Sequence, residues 1–155
     1  MKSRVMLAAA LSLLTAGSVA AKDPAELCGQ YTSVDVEEKT TDMGNNIVFM
    51  HFRSSTQMHA EEGSKYNELS GQCTGGAVIY ADHSIEAEGL CAVSDVSGDV
   101  LTYVFSQTRG AKEGKYIRKG GTGKFTGSKD TGWYKPVSVN GDVTTGNWGG
   151  KGGCK

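Results

Sequence analysis

The sequence predicts an all-β chain, a single closed antiparallel barrel of about eight strands, with a β-sandwich as the second reading. Three observations predict it. First, Ser70 to Ser106 alternates at a period of two: Cys73, Ala77, Ile79 and Ala81, then Ile85, Ala87, Cys91 and Val93, form one apolar side, while Glu86 and Glu88 point the other way. Second, two independent turns inside that stretch bring its apolar side into one consistent register. Third, no long segment after the leader shows helical periodicity, and turn signals recur roughly every ten residues.

The register can be worked out residue by residue. Reversing the chain at Asp82 sets Ile79 opposite Ile85, Ala77 opposite Ala87, Gly75 opposite Gly89 and Cys73 opposite Cys91. Directly opposed antiparallel residues lie about 4.5–5.5 Å apart at Cα, a span a disulfide accepts. Reversing it again at Val96-Ser97-Gly98, a three-residue loop with Gly98 left-handed, sets Val93 against Leu101, Cys91 against Tyr103 and Gly89 against Phe105. A one-residue slip loses every match and turns the apolar set outward.

Taken in order, Met1 to about Ala21 reads as a cleaved secretory signal, leaving residues 22–155 as one barrel domain. Lys2 and Arg4 form a basic start, Val5 to Ala16 an apolar core, and Ser18-Val19-Ala20-Ala21 a small-residue cleavage site. The apolar core is shorter than the ~20 residues a membrane span needs, so no membrane span is expected. Leu27 and Glu26 before Cys28 do not suit a lipid-attachment site. Lys22 to Gln30 is a leader, and Tyr31 to Lys39 a first strand. Thr40 to Asn46 is a turn cluster, and Ile47 to Arg53 a strand of branched and aromatic residues. Ser54 to Ser64 is polar and unassigned, and strand patterning resumes near Tyr66. After a turn at Arg109 to Gly114, strands are expected at Lys115–Arg118, Lys124–Thr126, Gly132–Val139 and Val143–Trp148. Asn140-Gly141 is a hairpin signal between the last two. The many glycines of this half fit strands that bend sharply.

Charge and cysteines narrow the function classes. Without Lys2 and Arg4, about 14 basic side chains face 17 acidic ones, interspersed along the chain. No basic patch exists, so nucleic-acid binding is not expected. Four cysteines in an exported chain imply two disulfides, and a periplasmic or extracellular location. The register selects Cys73–Cys91 and leaves Cys28–Cys154. No pair has CxxC spacing, and His51, His59 and His83 are scattered, so neither a metal site nor a cofactor is expected.

Gly120-Gly121-Thr122-Gly123-Lys124-Phe125-Thr126-Gly127 is not a phosphate loop. Arg118 stands where that motif needs glycine, and Phe125 where it needs Ser or Thr. A glycine-kinked strand is the expected structure. Asp95 and Asp99 flank the second turn as a solvated acidic pair; Val100 and Ser106 lack the side chains of a calcium loop. No GxSxG elbow and no unbridged cysteine is present, so no catalytic residue is assigned.

The octet has a counterpart elsewhere. Together with the small residues and aromatic from Gly127 to Tyr134, and with Gly71 to Cys73, Gly89 to Cys91 and Asp95 to Asp99 before it, it resembles the glycine motif of the allene oxide cyclase/dirigent-like group, most closely its small exported bacterial members. The resemblance covers Ser70 to Tyr134, about half of the exported chain. It implies a calycin-like eight-stranded barrel whose interior holds an apolar small molecule. The group's plant members bind oxylipins or phenoxy radicals, but none of their catalytic motifs has a match here.

The expected function is therefore a non-catalytic binding module for a small apolar ligand. A cyclase- or isomerase-like enzyme, and a structural or interaction protein with a filled barrel, are the alternatives; a homo-oligomer fits any of them. Phe49, Tyr80, Tyr103, Phe105, Tyr116, Phe125, Trp133 and Tyr134 supply interior aromatic surface, and an eight-stranded barrel is just wide enough for side chains to fill. The candidate ligand set is Phe49, His51, Arg53, Tyr80, Tyr103, Phe105 and Trp133. Within it, His51 and Arg53 share a strand face with Phe49 and form a polar anchor if that face points inward. If Val48, Met50 and Phe52 point inward instead, the anchor is lost.

Overall fold

The computed structural model describes residues 27–151. Eight antiparallel strands follow one another in sequence order: β1 (Cys28–Asp42), β2 (Val48–Ala60), β3 (Leu69–Ile79), β4 (Ile85–Ser94), β5 (Val100–Gln107), β6 (Gly114–Gly121), β7 (Thr131–Asn140) and β8 (Val143–Gly150). β8 returns to β1, pairing from Cys28↔Gly149 to Val34↔Val143, and the sheet closes into a barrel rather than a sandwich. The expected signal, residues 1–21, and Cys154 of the expected Cys28–Cys154 pair lie outside the described residues.

Every partner derived from the two turns is present in the ladders, from Ile79↔Ile85 to Cys73↔Cys91 and from Val93↔Leu101 to Gly89↔Phe105. Cys73 and Cys91 are disulfide-bonded. Gly98 is left-handed at φ 84°, and in the first turn His83 takes that role at φ 61°. Asp82 fixes the first turn by accepting the Ser84 amide at 3.0 Å.

Glycine is placed where rings need room. Gly29, Gly75, Gly89, Gly114, Gly132 and Gly146 sit directly opposite Trp148, Phe52, Phe105, Tyr134, Tyr116 and Tyr31. A Cβ at any of the six would lie under 3.0 Å from its partner's ring. Each ring packs against a bare stretch of neighbouring backbone, which lets a narrow barrel hold so many aromatics.

Three local expectations are corrected. The polar stretch after Arg53 continues β2 to Ala60, because Ser54, Thr56 and Met58 point into the barrel and Ser55, Gln57 and His59 out of it. Tyr66 lies in the β2–β3 loop, not in a strand, and is buried. Lys124–Thr126 is not a strand either: Gly123–Phe125 forms a 3-10 turn.

That turn explains the glycine octet. Gly121 packs against the Val100 carbonyl and left-handed Gly123 against the Asp99 carboxylate, where a Cβ would collide. The Lys124 amide donates to Asp99 at 3.0 Å and its ammonium reaches Asp95 at 2.6 Å. The like charges of the acidic hairpin are thus eased from within the chain, and the Lys124 bond holds the Asp95 carboxyl below its usual range. The turn also drives Phe125 into the barrel end. There it joins Leu27, Met58, Tyr66, Leu69, Val93, Leu101, Tyr116 and Trp148 in the buried core. This core fills one end of the barrel only.

Candidate functional site

The other half of the barrel is hollow. A cavity of about 250 Å³ runs from Trp148, Arg118 and Tyr116 at the packed end to Asp35, Ile85, Gln107, Pro136 and Thr144 at the far rim. The hollow follows from side-chain size. Ala77 and Ala87 oppose each other on β3 and β4, and Ser33, Ser54, Thr56 and Thr144 are among the inward residues of β1, β2 and β8. Eight strands with larger residues at these places would fill their own interior. Met50, Phe52, Met58, Phe105 and the Cys73–Cys91 bridge complete an apolar wall.

The deep end combines rings with one buried cation. Arg118, 2 % exposed, pairs with Asp130 and donates to the Tyr116 hydroxyl at 3.2 Å. Its guanidinium lies 3.8 Å from the centroid of the Tyr66 ring, which itself stacks on Phe125. A buried guanidinium is tolerated here because its charge is matched by a carboxylate and its face by a π system. Tyr116 in turn donates a hydrogen bond to the Gly149 carbonyl at 3.0 Å.

Three other phenols face the cavity. Among the described residues Tyr103 donates only to sulfur, at 3.6 Å to Met58 Sδ, with Cys73 Sγ at 3.9 Å. The Tyr31 and Tyr134 rings meet edge to face at 6.4 Å, and neither hydroxyl has a hydrogen bond among the described residues. Burial raises the Tyr31 and Tyr103 phenols well above their ordinary range and pushes Tyr116 and Tyr134 up to about 12. All four are therefore protonated at any physiological pH. At the rim, burial raises the Asp35 carboxyl, and Glu38 and Asp142 nearby raise it further.

Only two members of the candidate ligand set line this cavity, Tyr103 and Phe105. Phe49, His51 and Arg53 face outward, so the proposed anchor on β2 is lost: Met50 and Phe52 point inward, with Phe52 opposite Gly75 and Ser54 opposite Cys73. Arg53 instead meets Glu37 at 3.4 Å on the outer surface. Tyr80 is at the first hairpin, its hydroxyl on Glu86 at 2.9 Å and its ring under Arg109. Arg109 also bonds Asp82, which is lowered to about 2 chiefly by the Ser84 hydroxyl bond, then by the Ser84 amide and Arg109. Trp133 lies on the outer face across Gly149. Tyr116 and Tyr134 are in the wall, and Phe125 in the packed core.

Sequence reasoning missed Tyr31, Asp35, Met50, Phe52, Met58 and Arg118 as lining residues. The β2 members carried a usable signal: once the strand is extended past Arg53, the alternating set His51, Arg53, Gln57, His59 is plainly the wetter face. Among the described residues no three His, Cys, Asp or Glu side chains gather as a metal site, and no helix is long and apolar enough to cross a membrane. Comparison with protein-family models, curated proteins and solved structures gives no match.

Proposed function

We propose that this chain is an exported, non-catalytic binding module that holds a small apolar ligand in its barrel, in the manner of the calycin-like group its glycine motif resembles. The observation that carries the reading is the one-ended cavity, about 250 Å³ and walled by Met50, Phe52, Ala77, Ala87, Ile85 and Phe105. That is just under the ~300–1,000 Å³ common among ligand pockets and mostly apolar with a few polar groups, as those pockets are. The disulfide suits an oxidising compartment.

Native mass spectrometry of protein purified from its own host tests the reading. A bound mass is expected, displaced in an Ala87→Trp variant that fills the wall opposite Ala77. A clean apo mass in the parent, with no uptake of small hydrocarbons, would return the protein to the filled-barrel class.

A cyclase- or isomerase-like enzyme is the second reading, favoured by one observation: Asp35, a carboxyl raised by burial, stands on the cavity wall, as a general acid or base does. Turnover of an unsaturated epoxide that disappears in Asp35→Asn would establish it.

A further inference from the structure

We infer that the ligand carries a neutral hydrogen-bond acceptor, a carbonyl or ether oxygen, on the end that enters first, and that the Tyr103 hydroxyl receives it. The inference rests on the binding reading above and specifies its chemistry.

Three features of the cavity converge on this class. The first is donor excess at depth. Tyr103 lines the cavity, and among the described residues its hydroxyl has only a thioether and a disulfide sulfur as partners. Sulfur is a weak acceptor, so an enclosed phenol with nothing better favours an oxygen brought to it. Tyr31 and Tyr134, without hydrogen bonds among the described residues, add two more donors to the same wall.

The second feature is charge. Among the described residues Arg118 is the only cation in the lining, and Asp130 already neutralises it. A carboxylate arriving beside that pair would be a buried charge without a counterion, which is costly. The third is the rim. Asp35 lines the entrance, with Glu38 and Asp142 close enough to act on it. An acidic entrance repels anions and passes neutral molecules. Donors below, acid above and apolar wall between together select a neutral, oxygen-tipped, otherwise apolar body.

The test uses three matched probes on the full exported chain: 2-acetylnaphthalene (a ketone), 2-ethylnaphthalene (its hydrocarbon counterpart) and 2-naphthoate (an anion). Affinities are measured by titration calorimetry and by tryptophan fluorescence. The ketone is expected to bind roughly two- to twelvefold more tightly than the hydrocarbon, the range one net hydrogen bond gives. The naphthoate should bind most weakly. Tyr103→Phe should erase the ketone's advantage over the hydrocarbon. Met58→Leu, which removes the competing thioether and keeps the hydroxyl, should preserve or widen it, giving a second reading if the first variant folds poorly. Equal binding of ketone and hydrocarbon by the parent, a ketone advantage that survives in Tyr103→Phe, or tightest binding of the naphthoate would overturn the inference while leaving an apolar binding site in place. No binding of any probe would overturn both.

Discussion

Arg118 inverts the usual polarity of a strand. In Lys115-Tyr116-Ile117-Arg118-Lys119 the apolar Ile117 faces solvent, 43 % exposed, and the guanidinium faces the interior. Nothing local makes that legible, because the groups that accommodate it come from elsewhere: Asp130 precedes β7, Tyr66 is in the β2–β3 loop and Trp148 is on β8. A pattern read along one strand assigns such a residue to the surface. Removing it should therefore cost more than a surface substitution. Arg118→Met is expected to lower stability by about 3 kcal/mol, the lower end for breaking a buried pair, since Asp130 keeps some contact with water. Urea denaturation followed by tryptophan fluorescence measures it. Arg118→Lys should recover little, because a compact ammonium has no planar face to lay on Tyr66.

Among elements, the β3–β4–β5 meander was readable because its apolar alternation, turn residues and cysteines all agreed on one register. β2 was harder. Its outward face carries Phe49 and its inward face Ser54 and Thr56, so only the full length of Val48–Ala60 decides which way it turns. The glycines signal strands that bend sharply, but the rings they make room for are hidden from a strand-by-strand pattern, since each ring lies on a neighbouring strand. Gly114 offers the clearest test. Gly114→Ala puts a methyl into the Tyr134 ring and is expected to destabilise by roughly 1–3 kcal/mol, the cost of overpacking. In a double-mutant cycle with Tyr134→Ala, the combined loss should be smaller than the sum, because the methyl then occupies space the ring has left. Thermal or urea melts of the four proteins give the coupling directly.

The whole molecule has a packed end and a hollow end, and the four phenols of the cavity wall, Tyr31, Tyr103, Tyr116 and Tyr134, reach from one toward the other. All are raised above their ordinary range by burial, Tyr116 and Tyr134 to about 12. An unfolded tyrosine ionises near pH ~10, so the folded chain holds more protons than the unfolded one above that point. The stabilisation is fully present below pH ~10 and is lost as pH climbs toward the folded values. Phenolate absorbance should accordingly stay low for these four rings until the barrel opens, with melting temperature falling steadily above pH ~10. Early, reversible ionisation of all four in a still-folded barrel would contradict their enclosure.

β1 runs beyond its last partner on β8. From Val36 to Asp42 it has β2 on one flank and, among the described residues, no strand on the other. Such a margin is a template on which a second molecule can zip, the first step toward fibrils. Glu37, Glu38, Lys39 and Asp42 make that zipping electrostatically awkward in most alignments, which reads as insurance against self-propagation in a sheet otherwise sealed on itself. Changing Glu37, Glu38 and Lys39 together to threonine should leave the melting temperature almost unmoved yet produce species that sediment or bind thioflavin. A triple variant that stays as dispersed as its parent at high concentration would mean that this overhang poses no hazard.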